Sequence, residues 1–257
     1  MPKTIENTTT EDLFLGTRVR LLQPLHGYRA ATDPVLLAAS VPARKGQCVL
    51  DVGCGVGAAS FCLGARVSGL HISGIDLQAH LIELAHQNVS LNNFECTFEF
   101  VQGDLLKRPM HPLPNSFDHV MANPPFYEAG SGRQSPYEIK AIAHMAGEAG
   151  VSDWVDYMLR MLKPRGTFTM INRAERLEET LSALKGRVGE LVLHPLWSMS
   201  PTGPLKRGAK RFILQGRKGI KTPMRIASGF VIHDDAGAYM PEIQAVLMDG
   251  SALDMTL

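Results

Sequence analysis

The sequence predicts an α/β fold: a doubly wound, mostly parallel sheet of seven strands with an antiparallel C-terminal hairpin. Three observations predict it. From residue 47 onward, apolar runs of strand length alternate with segments of helical period, the pattern of a parallel sheet covered on both faces. The last two strand-like runs, 189–200 and 211–219, have no helix-length segment between them, so they pair antiparallel. The chain has 257 residues, of which 45% are hydrophobic, enough for one large domain with a small appendage.

Taken in order, the elements are these. The first ten or so residues are Thr-rich and polar. In LFLGTRVRLLQPLHGYRA (13–30), Thr17, Val19 and Leu21 alternate with Arg18 and Arg20, which predicts a strand or hairpin. TDPVLLAASV follows, with Thr32 or Asp33 as helix cap and Pro34 at the first helical position. CVLDVG (48–53) predicts the first sheet strand and VGAASFCLGARV (56–67) a helix. LHISGID (70–76) is the second strand and AHLIELAHQNVSLN (79–92) its helix. CTFEFVQGD (96–104) and FDHVMAN (117–123) are the third and fourth strands. VSDWVDYMLRMLK (151–163) is amphipathic, with Ser152 or Asp153 as cap. GTFTMIN (166–172) is the fifth strand, and AERLEETLSALKG (174–186) a helix closed by Gly186. AYMPEIQAVLMDG, after the hairpin, predicts a small packed tail. The chain thus divides into an N-terminal hairpin and helix over the ligand end (1–45), the main domain (46–222) and a tail packed on the same domain (223–257).

Composition narrows the class. Lys plus Arg number 26 and Asp plus Glu 25, so net charge argues neither for nor against a nucleic-acid partner. The polar start, MPKTIENTTTEDLF, lacks the apolar segment of a secretion signal. No apolar run approaches the roughly 20 residues of a membrane helix. Cys48, Cys54, Cys62 and Cys96 form no C-x-x-C pair, and no histidines cluster. The expectation is a cytoplasmic chain with free thiols, no metal and no membrane contact.

Three strand ends carry the chemistry. The first strand runs into LDVGCGVGA, with Gly53, Gly55 and Gly57 where strand becomes helix. Glycine there lets backbone approach a ligand closely. Read as G-x-G-x-x-A, the segment also fits a loose dinucleotide fingerprint. Asp51 suits a cationic ligand better than a pyrophosphate. Asp76 ends the second strand, placed for ribose hydroxyls, and Asp104 ends the third, where an adenine ring would lie. A strand-terminal Asp is often only a helix cap. Three of them beside one glycine loop make a constellation. The fourth strand ends in VMANPPFYEAG (120–130), where Pro124 and Pro125 stop a strand ladder abruptly.

This constellation resembles the S-adenosylmethionine site of Rossmann-like class I methyltransferases. The resemblance implies that Asp51, Gly53, Gly55 and Gly57 form the cofactor loop, that Asp76 holds the ribose and that Asp104 meets the adenine. Methyl transfer to an exocyclic amine then gives Asn123-Pro124-Pro125-Phe126 a purpose. The amine lone pair is delocalised into its ring, so the nitrogen must be drawn towards sp³ geometry. The Asn123 side-chain carbonyl and the Pro124 carbonyl would accept its two N–H groups, Pro125 would stiffen the turn, and Phe126 would stack on the base, worth roughly 1–3 kcal/mol. No histidine base is required: the sulfonium is already activated, alignment of the reacting atoms can supply on the order of 7–11 kcal/mol, and the proton can leave after transfer. The tetrapeptide resembles the [NDS]-PP-[FYW] motif of amino-methyltransferases, whose members modify adenine, cytosine, guanine or protein glutamine; Asn123 borders the cofactor as well.

YRAATDPVLLAAS (28–40) and the stretch after Asn-Pro-Pro-Phe are similar to the bacterial tRNA1(Val) adenine-N6 methyltransferase family, over about residues 13–219. There Thr32 and Asp33 would border the cofactor. Phe126 stands where many members carry Tyr, and His144 where Arg is often nearby. Between Leu191 and His233 there is no Asp or Glu, while Lys206, Arg207, Lys210 and Arg211 fall there. Such a stretch binds phosphates or forms a solvated strand edge; Arg18 and Arg20 would extend it. The expected partner is a tRNA or other structured RNA. Guanine-N2 methylation of ribosomal RNA is the alternative within the class, and a Rossmann-type nucleotide- or NAD-binding protein is the alternative outside it.

Overall fold

The computed structural model describes residues 9–26, 29–109, 111–125, 149–201 and 208–256. Phe126, His144, Lys206 and Arg207, all singled out above, lie outside the described residues.

A two-stranded antiparallel hairpin, β1 (Thr9–Phe14) and β2 (Val19–Pro24), precedes α1 (Thr32–Ser40). The alternating units follow: β3 (Cys48–Val52), α2 (Ala58–Arg66), β4 (His71–Asp76), α3 (Ala79–Leu91), β5 (Thr97–Gln102) and β6 (Phe117–Ala122). Then come α4 (Val151–Met161), β7 (Leu162–Arg173), α5 (Leu177–Leu184), β8 (Val188–Trp197) and β9 (Arg211–Lys218). Two dipeptide strands, β10 (Arg225–Ile226) and β11 (Phe230–Val231), precede α6 (Pro241–Asp249).

The main sheet runs β10-β8-β9-β7-β6-β3-β4-β5, with β11 also on β8. All of its pairs are parallel except those of β9 with β7 and β8. The fold class is as expected, with two differences. The sheet has nine strands among the described residues, because β10 and β11 line the outer edge of β8. The hairpin also does not simply add to the edge: β9 threads back between β7 and β8. Phe212, Ile213 and Leu214 explain this. All three are nearly fully buried, and they alternate between the two core layers, as a strand covered on both faces must.

The two layers flank the sheet. One holds α1, α2 and the inner face of the hairpin, with Phe61, Leu36, Val49 and Phe100. The other holds α4, with Trp154, Met158, Leu50 and Phe168. Strand order reverses between β3 and β6, so the strand ends there open a crevice. Asp153 Oδ2 accepts from the Gly150 amide at 2.9 Å, so Gly150, not Ser152 or Asp153, is the N-cap of α4. The C-terminal helix buries Ile243 and Val246, and the Leu253 amide donates to Ala39 O at 2.9 Å.

The hairpin is held by asparagines, not by a third strand. Leu22 N donates to Asn88 Oδ1 at 2.7 Å, and Asn88 Nδ2 donates back to Leu22 O at 3.2 Å and to Val56 O at 3.0 Å. One helical turn on, Arg20 N donates to Asn92 Oδ1 at 2.9 Å and Asn92 Nδ2 to Arg20 O at 2.8 Å. A helical repeat of about 6 Å over four residues matches the two-residue repeat of a strand, so one side-chain amide on α3 and one at its C-cap stand in for a neighbouring strand. Val19, Leu21 and Gln23 therefore face inward and Arg18 and Arg20 outward. Asn88 is fully buried. Asn88→Ala leaves Leu22 N, Leu22 O and Val56 O unpaired and should cost about 1–3 kcal/mol, read by urea unfolding, with faster hydrogen exchange at Leu22. A slow Leu22 amide in the variant would contradict this attachment.

Candidate active site

Strand register assembles the site. Val52 lies opposite both Ile75 of β4 and Ala122 of β6, so the next residues, Gly53, Asp76 and Asn123, emerge side by side. Gly53 turns into the left-handed region (φ +71°) while its amide and that of Cys54 donate to Ile75 O at 2.8 and 3.1 Å. A Cβ on Gly53 would lie 2.4 Å from Trp154 Cη2, so only glycine fits between this turn and α4. Gly55 (φ +55°) has open space where its Cβ would stand. Gly57 (φ +86°) starts α2 against Phe61.

The resulting cleft is lined by Asp51 of β3 and Gly53, Cys54 and Gly55 after it, by Asp76 at the end of β4 and Gln78 after it, and by Asn123 and Pro125 after β6. Gln23 of the hairpin, Ala30 and Pro34 at the start of α1, and Trp154 close it. Pro124 is buried behind Pro125. Asp76 spans the cleft floor: Oδ2 accepts from Gly55 N and Oδ1 from Gln78 N, each at 2.9 Å. Asp51 Oδ2 accepts from Ser60 Oγ at 2.8 Å. Neither carboxylate has a Lys or Arg partner among the described residues. Burial raises the Asp51 carboxyl to about 7; the Ser60 hydrogen bond opposes this and the Asp76 charge adds to it. Burial raises Asp76 too, against its backbone donors. A cationic ligand would satisfy this floor, and a vicinal diol would suit Asp76, whose carboxylate oxygens each have lone pairs beyond the amide they accept.

Other expected residues stand elsewhere. Thr32 and Asp33 do not cap α1: its N-cap is Ala31, with no side-chain cap bond. Asp33 instead pairs with Arg211, pinning the start of α1 to the start of β9 between the cleft residues Ala30 and Pro34. Burial raises the Asp33 carboxyl, opposed by the Arg211 charge. Thr32 is half-buried on a neighbouring groove. Asp104 caps the turn after β5, accepting from Leu106 N at 3.0 Å and lying 3.5 Å from Lys107 Nζ; it is outside the cleft lining. Arg18 donates to the helix-end carbonyls Asp249 O and Ala65 O at 2.5 and 2.7 Å, and Arg20 pairs with Glu11 at 2.7 Å. Lys210 is exposed at the cleft end of the sheet. Sequence reasoning missed Gln23, Gln78 and Trp154. Gln23 had a signal, being a polar residue at an inward position of the Val19–Leu21 alternation. Among the described residues there is no cluster able to hold a metal, and no helix long and apolar enough to cross a membrane.

Comparison with known proteins matches residues 43–207 to the family described as a methyltransferase domain. A tRNA1(Val) (adenine(37)-N6)-methyltransferase of Vibrio vulnificus is 32% identical over 109 residues, covering 42% of this chain and 44% of that protein, so that match spans under half of the relative. A protein of the same description from Musicola paradisiaca is 25% identical over 227 residues and 86% of each chain. Among solved structures, an Agrobacterium tumefaciens protein described as a predicted O-methyltransferase shares the fold (TM-score 0.70, 20% identity, 88% of this chain and 100% of that one).

The raised Asp51 carboxyl has a pH signature. Its folded value of about 7 exceeds the ordinary 3.8, so the stabilisation from its bound proton is present below about pH 4 and lost as pH rises through about 7. In thermal unfolding of the ligand-free protein, Asp51→Asn should gain Tm relative to the native sequence between about pH 5 and about pH 8. An equal difference at both pH values would show that Asp51 is not the titrating group.

Proposed function

The chain belongs to the methyltransferase-domain family, and from that premise we propose that it is an S-adenosylmethionine-dependent enzyme whose acceptor is an exocyclic amine of RNA, adenine N6 in a tRNA. The observation that carries the reading is the emergence of Asn123-Pro124-Pro125 directly beside Gly53 and Asp76. An amide and a rigid turn at that position have no role in a nucleotide-binding module.

The cleft suits the cofactor in its charge and its donors. When bound, S-adenosylmethionine supplies an electrophilic methyl group on a sulfonium. Asp76 would accept the ribose hydroxyls, Asp51 would balance positive charge, and the open backbone at Gly55 would admit close approach. Asn123 Oδ1 and Pro124 O would accept the two amine protons and hold the nitrogen lone pair towards the donor. Trp154, Pro34 and Pro125 supply the apolar part of the wall beside these groups. With the electrophile already activated, this chain supplies orientation rather than a base. Phe126 would stack on the base by the motif resemblance. Similarity to the Vibrio and Musicola proteins supports the adenine of a tRNA as acceptor. With Arg18 and Arg20 engaged in the fold and Arg211 paired with Asp33, the proposed RNA contacts are Lys210 with Lys206 and Arg207.

Nucleoside mass spectrometry of tRNA and rRNA, with and without the protein in cells, tests the acceptor. Loss of N6-methyladenosine from tRNA is expected; a change confined to N2-methylguanosine in rRNA would reassign it. Asn123→Ala should lower methyl transfer by about 100-fold, the scale of a misplaced reactant, with cofactor affinity by calorimetry nearly unchanged. Loss of cofactor binding instead would remove Asn123 from the acceptor side.

A further inference from the structure

A second recess lies at the opposite end of the sheet from the cleft. The end of β9 and the start of β8 meet there, with α4 beside them, and they enclose about 490 Å³. Its lining carries four cations, Arg108, Arg160, Arg187 and Lys218, and one carboxylate, Asp156. Asp156 is already taken by Arg187 at 2.5 Å. Among the described residues the Lys218 ammonium donates to neutral oxygens, Asn115 Oδ1 at 2.8 Å and Leu162 O at 2.7 Å. With its one carboxylate paired to Arg187, the recess keeps three cations, Arg108, Arg160 and Lys218, that no lining carboxylate balances. Burial lowers the Lys218 pKa, and the neighbouring Arg187 charge lowers it further.

Two donors in the wall are unused. Tyr157 is 2% exposed, and its hydroxyl is buried without a hydrogen-bond partner among the described residues. The same is true of Arg160 Nη1. Burying one such group is costly, and two of them beside uncompensated cations call for an acceptor. An apolar side chain would satisfy neither donor. A tetrahedral oxyanion offers several acceptor oxygens to donors from several directions and balances the charge, and a guanidinium suits it well.

We propose that this recess binds a phosphate group, either the monoester of a free nucleotide or the diester of an RNA backbone, with Tyr157 Oη, Arg160 Nη1 and Lys218 Nζ donating to its oxygens. Arg108 and Arg187 supply further positive charge at the rim. The volume exceeds a bare ion and admits the sugar attached to it. The site is separate from the methyl-transfer cleft: β7 and β9 run between them, and no lining residue is shared.

The test is phosphorus NMR of the full chain with inorganic phosphate as probe, S-adenosylhomocysteine being present in excess to fill the cleft. Saturable binding is expected, weakened at least tenfold in Arg160→Gln and in Lys218→Gln, and weakened also in the near-isosteric Tyr157→Phe. Circular dichroism controls for folding. Competition separates the sources: displacement by adenosine monophosphate alone identifies a nucleotide, and displacement by a short single-stranded RNA identifies the backbone. For RNA, Arg160→Gln and Lys218→Gln should each also reduce the salt slope of binding by about one, while the uncharged change Tyr157→Phe leaves it unaltered. No phosphate binding to the native protein, or unchanged binding in Tyr157→Phe and in a folded Arg160→Gln protein, would overturn the proposal. The readout is phosphate, not methyl transfer, so it stands or falls apart from the proposed reaction.

Discussion

The cleft depends on the close approach of the Gly53 backbone to the Trp154 indole. One carbon atom added to Gly53 would sit 2.4 Å from the ring, and the turn would have to leave α4 or the helix leave the sheet. Because neither moves, the end of β3 is fixed against its neighbours, and Asp76 and Asn123 inherit their positions from strand register rather than from loop conformation. A similar economy recurs at Gly74, where a Cβ would meet Phe100 at 2.5 Å and Cys54 Sγ at 2.8 Å. The loop after β3 rests on β4 only because that strand has no side chain there.

The same packing strands two carboxylates on the cleft floor. Asp51 and Asp76 are both buried, and the Asp76 charge adds to the cost of ionising Asp51. Hydrogen bonds from Ser60, Gly55 and Gln78 hold them in place without neutralising them. Such a site is costly to the empty protein and favourable to a cationic ligand, the usual relation between a preorganised site and stability.

Much of this was legible in the sequence, and the failures have physical reasons. The βα alternation marked β3 to β7 and the helices α2 to α5, because a periodicity of 2 or 3.6 is a local property, whereas the dipeptide strands β10 and β11 are too short to show one. The glycines and the acids at strand ends were legible because few other roles need them there. Asp104 and Arg18 were ambiguous in the sequence: capping a turn and closing helix ends use the same residue types as binding a ligand or a phosphate. Asn88 and Asn92 read as the polar side of a helix; that they pair with a strand depends on a contact across 66 and 72 residues. The position of β9 was also non-local. Its consecutive apolar residues Phe212, Ile213 and Leu214 announce burial on two faces, but not which strand lies on either side.

The insertion of β9 has a consequence for synthesis on the ribosome. The chain is made from its N-terminus, and β7 has one edge unpaired until the segment from Arg211 has emerged. That segment fills the open edge and also brings the guanidinium that pairs with Asp33, 178 residues earlier. The start of α1, one border of the cleft, therefore waits for a late part of the chain to anchor it. A nascent chain stalled before residue 211 carries the glycine loop and the Asn-Pro-Pro turn yet exposes an unpaired apolar strand edge, the feature that draws chaperones and drives aggregation.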